Sequence, residues 1–312
     1  MKLLVPHSVD FVARPDDGVE AVSYDAAAPI PEEHRDAEAL VVWANSAENM
    51  ASARTMPNLR WVQAMSAGAE DVINGGFADG VRLAKGSGVH DRTVSEHAVA
   101  LGLTLLRRMP EAAQAQRDHV WSREIGGVQP MYPEGRVTSF IRANVLIWGF
   151  GNIGQHLAGI LTALGANVRG VARSAGERAG FPVIAEGDID EALPETDVLI
   201  MILPGVEATR HALNARRLEL LPKHAYVVNV GRGSTVDEDA LIAALESGSI
   251  AGAATDVASQ EPLPAESPLW DAPNLVITPH GAGGRPDLGP ELIRENLENL
   301  RAGRRLRNEV DR

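Results

Sequence analysis

The chain has 312 residues, a length that suits about two domains, and 45% of them are hydrophobic, enough for sizeable cores. Its formal net charge of -13 sets a repulsive field toward nucleic acid and acidic membrane surfaces, while leaving room for a local cationic pocket. It has no cysteine, which excludes disulfides, thiolate catalysis and cysteine-ligated metals.

The first ten residues read as a short apolar strand, without the hydrophobic region of a signal peptide, and the most apolar stretch, 98–106, is far too short to span a bilayer. The expected location is the cytoplasm, and neither nucleic acid nor a membrane is expected as a partner. Further β-like runs follow at 40–43, 59–62 and 81–84, with a helical stretch at 46–54. Strands alternating with helices predict a parallel α/β sheet. A long helix is predicted over 93–108, with Ser95 and Glu96 in its first turn; it is apolar beyond one stripe, which predicts burial between domains or subunits. His97 on it lacks the second ligand of a zinc motif and is expected at an interface, and no metal site is expected. Residues 110–142 hold Trp121, Gly126, Gly127, Pro130, Tyr132 and Pro133 without periodicity, and read as a helix followed by an extended arm.

A second alternating series then begins. Strands are predicted at 145–148, 168–172, 198–203, 226–230, 250–255 and 275–278, with helices at 152–164 and 237–247 and a last helix at about 288–302. The first strand of this series runs into Gly149-Phe150-Gly151-Asn152-Ile153-Gly154 and then a helix, the context that gives a GxGxxG its meaning as a dinucleotide site. Gly149 permits the tight turn, Gly151 lets backbone approach the pyrophosphate, and Gly154 lets helix pack on strand. The N–H groups at the helix start, Asn152 and Ile153, face the phosphates. About 20 residues on, a carboxylate is expected where NAD is bound. Ala172 stands there, followed by Arg173 and Ser174, which can bind a 2′-phosphate, so NADP(H) is expected in preference to NAD(H). Arg173 could instead stack on adenine, as NAD enzymes also allow.

Three later segments carry the chemistry. Arg232 lies between two glycines just past a strand, Glu261 follows the strand that ends at Thr255-Asp256, and His280 closes Thr278-Pro279-His280 at the end of a third. Ligands of open α/β sheets sit beyond the carboxyl ends of the strands, so the three can face one crevice as a carboxylate clamp, a partner that raises a pKa, and an acid.

With these residues in their order, the chain resembles the D-isomer-specific 2-hydroxyacid dehydrogenases, the group of glyoxylate, hydroxypyruvate and other 2-ketoacid reductases. The likeness is densest from Gly149 to Gly284, through Leu203-Pro204, Asn229 to Gly233, Asp237 to Leu241, Glu261 to Pro264, Ser267 to Trp270 and Thr278 to His280. The resemblance implies that Arg232 binds the substrate carboxylate and keto oxygen. It implies that His280 gives a proton to the carbonyl oxygen as hydride reaches C2, and that Glu261 keeps His280 protonated near neutral pH. It also implies that Asp256 contacts the nicotinamide side, that Leu203, Pro204 and Val230 line the cofactor groove, and that Ser66, Ala67 and Gly68 hold the substrate carboxylate. Trp43 and Asn45 are expected beside that loop, and His90 and Asp91 near a domain junction.

Three departures from the family pattern stand out. Trp148 precedes the first glycine, Glu70 and Asp71 follow the substrate loop, and Gly281-Ala282-Gly283-Gly284 after His280 is glycine-rich, which predicts a loose hinge. The implied fold is a Rossmann-type cofactor domain, 93–284, inserted in a smaller flavodoxin-like α/β substrate domain, 1–92 plus 285–312, with the active site in the crevice between them. A homodimer and a small 2-ketoacid or 2-hydroxyacid substrate are implied as well. The rival expectation is a non-catalytic dinucleotide sensor, since corepressors related to the family keep its fold and triad.

Overall fold

Short runs of aliphatic and β-branched residues between turn residues form thirteen strands among the described residues, 1–311, of the computed structural model. The side chains of Glu70 and Asp71 lie outside what is described. By its contacts the chain divides into two compact units, Met1–His90 with Arg285–Arg312, and Asp91–Gly284.

The first unit holds β1 (Lys2–Pro6), β2 (Glu20–Tyr24), β3 (Ala39–Val42), β4 (Trp61–Ala64) and β5 (Arg82–Ala84) in the order β2-β1-β3-β4-β5, all parallel. This is the flavodoxin-like order. Alternate residues point to opposite faces, so each strand feeds two cores. Leu4, Leu40, Val62 and Leu83 pack with Ile30, Ala53 and Phe77 on one face. Leu3, Val41, Trp61 and Ala84 pack on the other with Ile293, Leu297 and Leu300 of the helix Gly289–Arg301. That helix is pinned by buried Asn296, which donates to Gln63 Oε1 at 2.7 Å and accepts from the Arg307 amide at 2.7 Å.

The second unit holds β6 (Asn144–Trp148), β7 (Asn167–Ala172), β8 (Gly176–Arg178), β9 (Phe181–Ala185), β10 (Val198–Met201), β11 (Tyr226–Asn229), β12 (Gly252–Thr255) and β13 (Leu275–Ile277). Their order is β13-β12-β11-β10-β6-β7-β9-β8, parallel throughout except for β8 at the edge. Counted from β6, the sheet runs 3-2-1-4-5-6 through β9-β7-β6-β10-β11-β12, the Rossmann order, with β8 and β13 added at its two edges, and the order reverses between β6 and β10. Val145, Ile147, Val198 and Val228 bury one face against the helices Asp91–Leu106 and Asn152–Ala163. Leu146, Trp148, Leu199 and Val227 bury the other with Leu218, Leu241 and Leu245. The architecture is therefore α/β, a Rossmann-type unit inserted in the sequence of a flavodoxin-like one.

Three strands escape the sequence reading. β2 has the mixed pattern Glu20-Ala21-Val22-Ser23-Tyr24, and β8 and β9 form a hairpin in a stretch broken by Gly176, Gly180 and Pro182. The long helix starts two residues earlier than expected, at Asp91. After the helix Met109–Arg117 there is no helix or strand up to β6, and Trp121 and Val128 of this arm stand almost fully exposed.

Candidate active site

Parallel strands put their carboxyl ends along one edge of a sheet. In the second unit that edge carries Gly149 after β6, Arg173 after β7, Leu203 and Pro204 after β10, Val230 and Arg232 after β11, Asp256 after β12 and His280 after β13. The candidate residues of this unit lie on this one edge, in the loops that leave it, or, for Asn152, Ile153 and Gly154, in the first turn of the helix that follows β6.

Gly149 has φ +107°, and a Cβ there would stand 2.5 Å from the Ile202 carbonyl oxygen, so only glycine makes this turn. At Gly151 a Cβ would meet nothing within 4 Å. The backbone there faces open space, which fits the close approach of a pyrophosphate. Gly151 is also the N-cap of the helix Asn152–Ala163 and offers no side chain to cap it. Trp148 is fully buried, under the Arg217 guanidinium at 5.2 Å, so its bulk is used in packing.

Arg173 and Ser174 are exposed past the end of β7, and among the described residues no carboxylate pairs with Arg173. A third polar residue, absent from the sequence reading, joins them. Arg178 on β8 donates to Ser174 Oγ at 3.2 Å, to the Ser174 carbonyl at 3.3 Å and to the Phe150 carbonyl in the glycine turn at 3.4 Å. Spacing alone could not find it, because β8 returns antiparallel along the sheet edge.

Arg232 is half-buried and extended, its Nη1 donating to the Gly231 carbonyl at 2.8 Å. The loop must be glycine at 233, where a Cβ would fall 1.9 Å from the Ala258 carbonyl carbon. Glu261 and His280 meet directly: His280 Nδ1 lies 2.5 Å from Glu261 Oε2, and Glu261 Oε1 accepts from the Ala258 amide at 3.0 Å. Both side chains remain partly open to solvent.

Asp256 is 1% exposed and faces the turn that carries His280. Its carboxylate accepts from the amides of Gly281 and Ala282, each at 2.9 Å, and from Thr278 Oγ1 at 2.6 Å, while its carbonyl accepts from the His280 amide at 2.7 Å. The loose hinge expected from the glycines at 281–284 is corrected here: a buried carboxylate ties its first two residues. His97 turns its Nε2 toward Asp256 Oδ1 at 3.1 Å and Thr278 Oγ1 at 3.0 Å.

In the first unit, Ser66, Ala67 and Gly68 follow β4, with Ser66 Oγ donating to the Gly68 carbonyl at 3.3 Å. Among the described residues no acceptor takes the amides of Ala67 and Gly68, as a carboxylate cradle needs. Trp43 stacks on His90 with centroids 5.3 Å apart, and His90 Nε2 lies 2.6 Å from the Met65 carbonyl just before this loop. His90 is 4% exposed, so its ring serves as a platform for Trp43. Asn45 is structural: it accepts from the Trp43 amide at 2.7 Å and donates to Tyr24 Oη and Asn49 Oδ1. Burial pushes the Tyr24 phenol well up, so it stays neutral and donates to the Val41 carbonyl.

Comparison with known proteins gives the same picture. The sequence profile of a family described as D-isomer specific 2-hydroxyacid dehydrogenase, NAD binding domain, matches residues 99–282. A glyoxylate/hydroxypyruvate reductase A of Klebsiella pneumoniae is 36% identical over 226 residues, covering 71% of this chain and 68% of that protein. A D-isomer specific 2-hydroxyacid dehydrogenase family protein from Aeromonas salmonicida has a solved structure that aligns with TM-score 0.83 and 29% identity, over 99% of this chain and 98% of the other. An NADPH-dependent glyoxylate/hydroxypyruvate reductase from Sinorhizobium meliloti, solved with NADP and sulfate, aligns with TM-score 0.79 and 25% identity over 99% and 98%.

Proposed function

Because the chain belongs to the D-isomer specific 2-hydroxyacid dehydrogenase family, we propose that it reduces a small 2-ketoacid to the 2-hydroxyacid, with His280 as proton donor and NADP(H) preferred over NAD(H). The contact between His280 Nδ1 and Glu261 Oε2 carries this reading. It fixes which nitrogen faces the glutamate and leaves Nε2 as the atom that gives a proton in reduction and takes it in oxidation. A bound nicotinamide dinucleotide would supply the hydride for C2 of the ketoacid.

Arg232, whose guanidinium matches a planar carboxylate, clamps the substrate and polarises its keto oxygen. Within the first unit the amides of Ala67 and Gly68 are open to a carboxylate, and Trp43 stacks on His90 beside that loop. Gly149, Gly151 and Gly154 admit the pyrophosphate, Asn152 and Ile153 lie at the helix start that faces it, and Leu203, Pro204 and Val230 line the groove. Asp256 orders the turn under His280 from the nicotinamide side.

The cofactor preference rests on Ala172, Arg173 and Ser174 at the end of β7, with Arg178 bonded to Ser174. A carboxylate at 172 would repel a 2′-phosphate, whereas two guanidinium groups and a hydroxyl attract one. The Sinorhizobium relative, named NADPH-dependent, supports the same choice. The exposed apolar arm, with Trp121, Val128, Met131 and Tyr132, supports a homodimer. No helix among the described residues is long and apolar enough to cross a membrane, and we place the enzyme in the cytoplasm.

The test is a ketoacid panel of glyoxylate, hydroxypyruvate and phenylpyruvate run with each cofactor. Turnover with a higher kcat/KM for NADPH than for NADH is expected. A clear NADH preference contradicts the cofactor reading, and tight NADPH binding without turnover favours a dinucleotide sensor.

A further inference from the structure

His97 is remote in sequence from every segment assigned to chemistry, yet its ring ends on the residue that holds the His280 turn. Nε2 has two neighbours, Asp256 Oδ1 at 3.1 Å and Thr278 Oγ1 at 3.0 Å. The Thr278 hydroxyl already donates its only hydrogen to Asp256 Oδ1, and a carboxylate oxygen accepts, so both atoms facing Nε2 are acceptors. His97 therefore carries its proton on Nε2 and donates.

Asp256 thus collects four donors on one buried carboxylate: the Thr278 hydroxyl, the Gly281 and Ala282 amides, and the His97 imidazole. Three of them belong to the turn itself. The fourth comes from the helix Asp91–Leu106, a different element, fixed in place by packing of Val94, Ala98 and Leu101. The held turn is a demanding one, since His280 has φ +51°, a left-handed conformation that a residue with a Cβ adopts at some cost. A strained residue persists where its surroundings over-determine it, and Asp256 is the centre of those surroundings.

We infer that His97 is a positioning residue for the proton transfer: through Asp256 it fixes the Thr278–Ala282 turn and so the aim of His280. This rests on the reading of His280 as the acid, but the order of the turn does not. Asp256 supplies the lever because it is bonded on both sides of His280. Loss of the His97 donor leaves a buried carboxylate short of one partner and frees the turn to rotate the imidazole away from the substrate oxygen.

The experiment compares His97→Phe, which keeps a ring and removes the donor, with His97→Gln, whose side-chain amide can donate to the same carboxylate. With the ketoacid found active for the wild type and NADPH, His97→Phe should lower kcat at least tenfold, with ketoacid KM and NADPH Kd within about twofold of wild type. His97→Gln should recover most of that loss. A parallel fall of both variants, or of kcat only where thermal unfolding begins, overturns the inference, since a purely structural role moves both alike.

Amide hydrogen exchange at Gly281 and Ala282 gives an answer independent of turnover. In His97→Phe these two amides should exchange at least tenfold faster, as they should in Thr278→Val, while amides of β6 and β11 keep their wild-type rates. Unchanged exchange at 281 and 282 in both variants overturns the inference, whether or not the protein reduces any ketoacid tested.

Discussion

His280 presents Nδ1 to Glu261 Oε2 at 2.5 Å, and the same glutamate is anchored by its other oxygen to the Ala258 amide at 3.0 Å. The carboxylate is thus held by its own loop before it meets the histidine, so the imidazole is oriented by a group that cannot swing freely. Glu261→Gln keeps the shape and removes the charge. It should lower kcat by about ten- to a hundredfold, a typical span for disturbing an acid–base pair, with NADPH binding unchanged. Steady-state kinetics and a fluorescence titration of NADPH check both halves, and a variant with wild-type kcat would separate Glu261 from proton transfer.

Gly149 sits at φ +107° against the Ile202 carbonyl, so Gly149→Ala meets strain and a clash together. A loss on the order of 1–3 kcal/mol of stability is expected, with NADPH binding weakened at least tenfold. Gly151→Ala adds a methyl group into open space beside the same turn and should fold normally while still weakening the cofactor. Thermal melts and NADPH titrations distinguish the two; equal stability of both variants would contradict the assignment of Gly149 as the obligatory turn residue.

The cofactor preference predicts asymmetric losses. Arg173→Ala should cut kcat/KM with NADPH about ten- to a hundredfold, the worth of a charge-assisted contact to phosphate, and leave the NADH value within about twofold. Equal losses with both cofactors would point to stacking on adenine instead of contact with a phosphate.

A separate prediction concerns stability of the first unit. Arg82 and Glu309 form a two-pronged pair, Nε to Oε1 and Nη2 to Oε2, both at 2.7 Å, next to the Val310 amide that donates to the Leu83 carbonyl. Hydrogen bonds from Arg82 hold the Glu309 carboxyl below the ordinary range. A pKa depressed in the folded state contributes stability above the unfolded value, about 4.3, and loses it as pH falls through the folded value. Glu309→Gln should therefore be less stable by about 1–2 kcal/mol at neutral pH, with the gap closing as the pH is lowered through the folded value. Urea unfolding at neutral and at acid pH measures this, and a gap that persists in acid would exclude the ionised pair as its source.

How far the molecule could be read from its sequence depended on whether a feature was local. The glycine turn at 149–154, the GRG loop around Arg232 and the strand-end position of His280 are set by neighbours in the chain, and each lies where its motif puts it. β2 was not visible, because an edge strand with Glu20 and Ser23 has no continuous apolar run. The β8–β9 hairpin was hidden by its glycines and proline, and with it Arg178, whose approach to Ser174 depends on an antiparallel return. Composition suggested mobility for the glycines after His280, yet Asp256, 25 and 26 residues earlier, binds the amides of Gly281 and Ala282. The contact of His97 with Asp256 is hidden for the same reason: nothing in a helix sequence states which buried carboxylate its side chain will reach.

The central claim, that His280 delivers the proton in NADPH-driven ketoacid reduction, is tested most directly by measuring kcat and NADPH Kd for wild type and His280→Ala on the best ketoacid of the panel. Loss of kcat by at least about a hundredfold with Kd within about twofold is the predicted result. A His280→Ala enzyme that keeps the wild-type kcat would contradict it.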